Sequence, residues 1–163
     1  MSFVVRKFKD SDGKQIVNLF YETIHAINIR DYTQEQVDAW APKLSGSELE
    51  ERVKWFIKSL GESITYVADN EGVVIGFANI TEDGYLDFMF IHKDYQGQGV
   101  ASNLLQILQE EAIRLGVKRV WANVSITAKS FFERHGFVTV QPQTVKRRGV
   151  SINNFRMEKA LLR

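Results

Sequence analysis

Tyr95-Gln96-Gly97-Gln98-Gly99-Val100-Ala101 lies between a strongly apolar run, Tyr85 to His92, and a strongly periodic one, Val100 to Leu115. The pattern predicts a strand, a tight glycine turn, and a helix that opens directly out of the turn. Such a junction aims several main-chain N–H groups at one spot, at the positive end of the helix macrodipole. It is a cradle for a phosphate or pyrophosphate. The competing reading is a strand–helix turn that binds nothing.

Upstream of this stretch, Phe3 to Phe8 reads as a strand. Ile16, Leu19, Phe20, Thr23, Ile24 and Ile27 follow at helical spacing, to about Asn28. Thr33 with Gln36 forms a capping box for a short helix closed by Pro42. Ser47 with Glu50 forms a second box for a helix ending at Gly61. Ile64 to Ala68, Val73 to Thr81 and Tyr85 to His92 then predict an antiparallel meander, turned at Asn70-Glu71-Gly72 and Asp83-Gly84. Apolar residues of both parities in the third strand predict a central strand covered on both faces. Downstream, Val117 to Val124 is a strand, parallel to Tyr85–His92 if the crossover is right-handed. Thr127 is positioned to cap a short helix from Ala128 to His135. Phe137 to Gln141 and Ser151 to Glu158 predict a closing antiparallel pair. The sum is an α+β domain around a mixed, mostly antiparallel sheet of six to seven strands flanked by helices.

The 163 residues suit a single domain, 1–163, with no linker composition to divide it. A net charge of +1 gives no global field favouring nucleic acid or an anionic membrane. The absence of Cys excludes disulfides, thiolate metal sites and a cysteine nucleophile, and fits a cytoplasmic location. No apolar run approaches a membrane span and no leader is evident. No metal is expected, and a homodimer is left open.

Two motifs in this order of elements resemble the GNAT superfamily of acetyl-CoA-dependent N-acetyltransferases. They are Ile91-His92-Lys93-Asp94-Tyr95-Gln96-Gly97-Gln98-Gly99-Val100-Ala101 and Ala128-Lys129-Ser130-Phe131-Phe132-Glu133-Arg134-His135-Gly136-Phe137. The resemblance spans roughly Phe3 to Lys159. Within the superfamily, Asp31-Tyr32-Thr33 followed by Ala39-Trp40-Ala41-Pro42 resembles the YafP-type bacterial branch.

The resemblance implies a cosubstrate, acetyl-CoA, whose pyrophosphate meets the amides of Gly97 to Ser102, with Gln96, Gln98, Val100 and Ala101 in the same loop and first turn. It implies that the fourth and fifth strands splay. The pantetheine arm would then pair with main chain of Met89, Phe90 and Ile91. Ser125, Phe132 and Lys129, the last toward the adenosine phosphate, complete the expected cofactor contacts. A lysine on a surface helix is as readily explained by solvation.

Acetyl transfer needs a neutral amine, stabilisation of the thioester oxygen, and a route out for the thiolate. Relatives commonly carry Tyr where this chain has Phe132, and a phenyl ring has no proton to donate. His135 and Tyr32 are candidate acids, Tyr32 also a candidate wall of the acceptor pocket with Trp40 and Trp55. A plain role for His135 is a charge at a helix C-terminus. Asp87, inside a central strand, is the candidate base, against a salt-bridged alternative. His92 is expected to be structural; His25, on the first helix, either faces the acceptor pocket or is a surface or satisfied core histidine. Glu82, Asp83 and Asp87 suggest a mildly negative mouth, and Lys146-Arg147-Arg148 a solvated hairpin tip. The expected function is transfer of acetyl from acetyl-CoA to a primary amine of a small molecule. The alternatives are a protein N-terminus or lysine as acceptor, or an acyl-CoA-binding module without turnover.

Overall fold

The computed structural model describes residues 2–161. Seven strands form one sheet in the order β1-β2-β3-β4-β5-β7-β6. They are β1 (Val4–Lys7), β2 (Ile64–Asn70), β3 (Val73–Ile80), β4 (Tyr85–Ile91), β5 (Arg119–Ser125), β6 (Val138–Arg147) and β7 (Val150–Ala160). Each neighbouring pair is antiparallel except β4 and β5. On one face pack α4 (Val100–Leu115) and α5 (Lys129–Arg134), burying Leu104, Leu105, Leu108, Ala112 and Phe132 against Ala78, Leu86 and Val120. On the other pack α1 (Gly13–Ala26), α2 (Gln34–Trp40) and α3 (Gly46–Gly61). Ile16, Phe20, Ile24, Val37, Phe56 and Leu60 close that second core over Val67 and Phe77.

Two irregularities in the middle of the sheet shape everything functional. The parallel pairing of β4 with β5 covers Tyr85↔Trp121 and Leu86↔Ala122 and then stops. It is anchored by Trp121 N–H donating to Gly84 O at 3.0 Å. Gly84 has φ +94°, and a Cβ there would stand 2.6 Å from Arg119 O, so the close approach that starts the pairing needs glycine. Beyond Leu86 the strands diverge.

The second irregularity is a bulge. Ala78 faces Met89 and Ile80 faces Leu86, so β4 advances three residues while β3 advances two. The amide left over, Phe88 N–H, donates to the side-chain Oδ1 of Asn79 at 2.8 Å. Asn79 is buried and hands its own Nδ2 hydrogen to Ser63 Oγ at 2.9 Å. Parity counting therefore fails at Asp87. Leu86, Met89 and Ile91 all pack toward α4, while Phe88 and Phe90 pack toward α1 and α3.

Several local expectations change. The Thr33–Gln36 capping box forms as expected. The Ser47–Glu50 box does not, because α3 starts two residues earlier, at Gly46 after Ser45. Gly61 lies inside α3, and Glu62 follows as its right-handed cap. Thr127 does not cap α5; Ser125 accepts the Ala128 N–H through its Oγ and its carbonyl, both at 3.1 Å. β6 continues well past Gln141, carrying Pro142 within it. A proline is tolerated there because β6 is the edge of the sheet. β4 is central but only half-buried over most of its length, because one side lines a cavity.

The start of the chain is held by an ion cluster. Arg6 on β1 donates to both Asp12 oxygens, at 2.9 and 2.8 Å, and to Asp69 on β2 at 3.0 Å. Burial pushes the Asp12 carboxyl up, but the Arg6 fork and the Lys9 N–H outweigh it and hold the group below its ordinary value. A depressed carboxyl stabilises the fold above its unfolded pKa, and that contribution is lost as pH falls through the folded pKa. Asp12→Asn is expected to cost about 2–3 kcal/mol at pH 7. Urea melts at pH 7 and pH 3 should show the gap to wild type closing in acid; a gap independent of pH would refute the assignment.

Candidate active site

Where β4 and β5 part, a cavity of about 900 Å³ passes through the sheet. On one face it is lined by the start of α4 and by α5; on the other by α2, α3 and the β6–β7 hairpin. Its middle is the exposed stretch of β4. Main-chain direction alternates along a strand, and His92 N–H points to β3, donating to Ile75 O at 2.8 Å. The main chain of Ile91, and of Met89 two residues before it, therefore turns into the gap. That of Phe90 turns to β3, so the expected pairing of a ligand with Phe90 main chain does not fit this geometry. Ile91 O is already engaged, accepting from Thr23 Oγ1 at 3.0 Å and from Gln96 Nε2 at 2.7 Å.

Gln96 thus pins the glycine loop back onto β4. Gly97 and Gly99 have φ of +69° and +83°, and no protein atom would lie within 4 Å of a Cβ on Gly97. Gly99 is the N-cap of α4 and no side chain caps the helix. The amides of Val100, Ala101 and Ser102 have no acceptor within the helix by position. They open on the same cavity. The strand, the glycine turn and the helix of the motif thus form as its spacing predicts. Gln98 does not line the cavity, and neither does Lys129, which pairs with Glu133 at 3.5 Å and lies over the Phe155 ring. Arg134, one turn on, lines it instead.

Phe132 lines the cavity and packs edge-on against Phe137. His135 has both ring nitrogens engaged. Nδ1 is 2.8 Å from Phe131 O, an acceptor, so Nδ1 carries the proton. Nε2 is 3.1 Å from Ser102 Oγ, whose hydroxyl then donates to it. His135 is therefore a clamp between α5 and the first turn of α4 rather than only a helix-end charge.

Tyr32 is buried between α1 and α2, with its hydroxyl accepting from Ile126 N–H at 2.9 Å and donating to Asn153 O at 2.7 Å. Burial pushes its pKa up, partly offset by the Ile126 hydrogen bond. Thr127 and Asn154 also line the cavity, and their buried Oγ1 and Oδ1 have no hydrogen-bond partner.

Asp87 is exposed by surface area, but that surface is cavity wall. Burial by the surrounding protein raises its pKa, against the opposing pull of Tyr85, Arg147 and Asn79. His25 and His92 are structural: His25 Nε2 reaches Ala41 O at 2.7 Å, and His92 Nδ1 accepts Asp94 N–H at 3.0 Å. Glu82 and Asp83 do not line the cavity, so the negative mouth does not form. The lining carries Arg52, Arg134, Arg147 and Arg148 against a single acid, Asp87. The hairpin tip Lys146 to Arg148 is exposed as expected, with Arg148 tethered by Nη1 donating to Ala39 O at 2.8 Å.

Comparison with known proteins decides the family. Residues 28–161 match the model of the acetyltransferase (GNAT) domain.

The chain belongs to the GNAT family of N-acetyltransferases.

It is 34% identical to the uncharacterized N-acetyltransferase YafP of Escherichia coli (strain K12), over 94% of this chain and 93% of that one. A GCN5-related N-acetyltransferase from Rhodopseudomonas palustris superposes with a TM-score of 0.90 at 27% identity, covering 99% of this chain and 97% of the other. The paiA N-acetyltransferase of Thermoplasma acidophilum, solved with coenzyme A, gives 0.77 at 16% identity over 99% and 100%. The yncA protein of Salmonella typhimurium, solved with acetyl-CoA, gives 0.71 at 17% over 100% and 96%. The GNAT chain is thus an acyltransferase with the seven-stranded α+β fold expected of it. No described helix is long and apolar enough to cross a membrane, and no group of three acidic or histidine side chains among the described residues could hold a metal.

Sequence reading missed the bulge, the tie from Tyr32 to Ile126 and the arginine-rich lining. Asn79, a lone amide in the apolar run Val73 to Ile80, was the available signal for the first. The other two depend on contacts between segments over 90 residues apart.

Proposed function

We propose that the protein, as one domain, moves acetyl from acetyl-CoA to the primary amine of a small molecule by direct transfer. The reading rests on the cavity through the sheet, with orphan helix amides on one side of the splay and Asp87 in its wall. The residues present fit acetyl-CoA: open space over Gly97, free amides at Val100 to Ser102, and main chain of Met89 turned into the gap. Acetyl-CoA supplies an activated acyl group on a good leaving thiol. The chain's own residues move the protons. Asp87 takes one from the acceptor's ammonium before attack, or from the amine nitrogen as it attacks, and its raised pKa brings it nearer to that task. Tyr32 keeps its proton at neutral pH and is the acid we assign to the departing thiolate, since Phe132 has none; its hydroxyl, now donating to Asn153 O, would have to turn to the sulfur.

A small acceptor is favoured over a protein chain by how the second face is roofed. Tyr32 to Asn153 O, Gln36 Nε2 to Ser151 O at 3.0 Å and Arg148 to Ala39 O bridge the α1–α2 segment to the hairpin. An extended peptide needs an open groove, and these bridges cross it. The test is an amine panel with acetyl-CoA, monitoring free thiol. Acceptor-dependent release is expected, with Tyr32→Phe about 10- to 10²-fold slower. Binding of acetyl-CoA with no release across small amines and peptides would leave a non-catalytic module; Tyr32→Phe at the wild-type rate would remove Tyr32 as acid.

A further inference from the structure

On the acceptor side of the cavity two guanidinium groups lack what such groups normally have. Arg52 on α3 is half-buried and lies over the rings of Trp55 and Phe56, 5.1 and 5.2 Å from their centroids. Arg148 reaches the same wall from the hairpin tip, held by Ala39 O. Neither makes an ion pair with any carboxylate among the described residues. The acids in the outer groove beside them are Glu48 and Glu51, and Glu51 is paired with Lys54 at 3.5 Å. Burial and the neighbouring Arg148 charge both disfavour the Arg52 cation. Arg148 is exposed, but Arg52 is half-buried beside it, and a partly desolvated cation next to a like charge is costly unless an anion comes from outside.

What lies between this pair and the reaction centre is also legible. Aromatic contacts run without a break from Arg52 through Trp55, Phe88, Phe90 and Trp40 to Tyr32. Tyr32 is the inner end of the series, and Asp87 stands at the bulge beside Phe88, its second ring. The two arginines, the aromatic rings and the carboxylate thus line one cavity.

Building on the acetyltransferase reading, we infer that the acceptor is a small amine with an apolar body and a carboxylate, the carboxylate held by Arg52 and Arg148 and the amine turned toward Asp87. The class is that of apolar amino acids and related amino-carboxylates. The planar guanidinium fork matches a carboxylate's two oxygens, and Trp55 and Phe56 fix its orientation. A simple cationic amine would leave both arginines unanswered.

The experiment has a turnover arm and a binding arm. In the first, phenylalanine is compared with phenethylamine, and tyrosine with tyramine, as acceptors for acetyl-CoA. The amino acids are expected to have kcat/KM about 10²-fold higher, and Arg52→Gln should collapse that ratio toward unity. Arg52→Lys, which keeps the charge but not the fork, should recover part of it. In the second, phenylacetate, which has no amine, is titrated calorimetrically into the wild type and into Arg52→Gln and Arg148→Gln. Its affinity should fall about tenfold or more in each variant. Preference for the amines that lack a carboxylate, no phenylacetate binding, or equal binding by the variants overturns the proposal. Phenylacetate binding that needs Arg52, with no turnover of any acceptor, would sink the catalytic reading and leave the anion site standing. Folding of each variant is checked by its melting transition before titration.

Discussion

Asp87→Asn is expected to lower kcat at pH 7 by about 10²- to 10³-fold, the range a positioned general base supplies. Its effect on acetyl-CoA affinity should be small, because the carboxylate faces the acceptor side of the gap. The loss should shrink as pH approaches the amine's own pKa, where the acceptor no longer needs a base. The wild-type kcat/KM should fall in acid as Asp87 is protonated, on a limb displaced upward from the ordinary carboxylate range by burial. Asparagine should abolish that limb. Stability should move the other way. A carboxyl whose folded pKa is raised binds its proton more tightly in the folded state, so it destabilises the fold increasingly as pH rises through that pKa. Asp87→Asn should therefore melt higher than wild type at pH 7, and the two should converge in acid. An unchanged kcat with an unchanged pH profile would remove Asp87 from the chemistry.

Gly99→Val is expected to weaken acetyl-CoA about 10²-fold. Gly99 stands at φ +83° at the mouth of α4, where a β-branched residue is an outlier. Holding valine there costs about 1–3 kcal/mol, a factor of about 5 to 150 in an equilibrium. The loop from Gln96 to Gly99 is exposed, so it has room to relax instead, and relaxation turns the amides of Val100 to Ser102 away from their common focus. The nearest protein atom to a Cβ at 99 is Asn103 Nδ2 at 3.9 Å, so no core packing is disturbed. Calorimetry with acetyl-CoA should show the weakened binding with a melting temperature within a few degrees of wild type. Wild-type affinity in this variant would mean that the loop is only a turn.

The reach of the sequence can be judged at particular residues. The glycine loop was legible because its requirements are local: a strand end, a positive φ and a helix start follow one another in the chain. The Thr33–Gln36 box was legible for the same reason. The Ser47–Glu50 box misled because the same four-residue pattern is satisfied whether or not the chain begins its helix there. Counting parity through β4 failed because a bulge is a relation between two strands, and its filler, Asn79, lies on the other one. Lys129 was matched by position in a motif, yet Glu133 on its own helix and the Phe155 ring hold it away from the cavity.

By itself the sequence determined the order of elements, the meander, the crossover helix with its anion cradle, and through them the family. Hydrophobic period and turn chemistry act over a few residues, and the chain writes them in order. The tertiary structure alone decided the electrostatics of the acceptor side and the partners of each candidate acid and base. Arg52 and Arg148 are 96 positions apart and Tyr32 and Ile126 are 94 apart. A charge's neighbours in space, and so its pKa and its need for a counter-ion, are set by where the two cores and the diverging strands bring distant segments together.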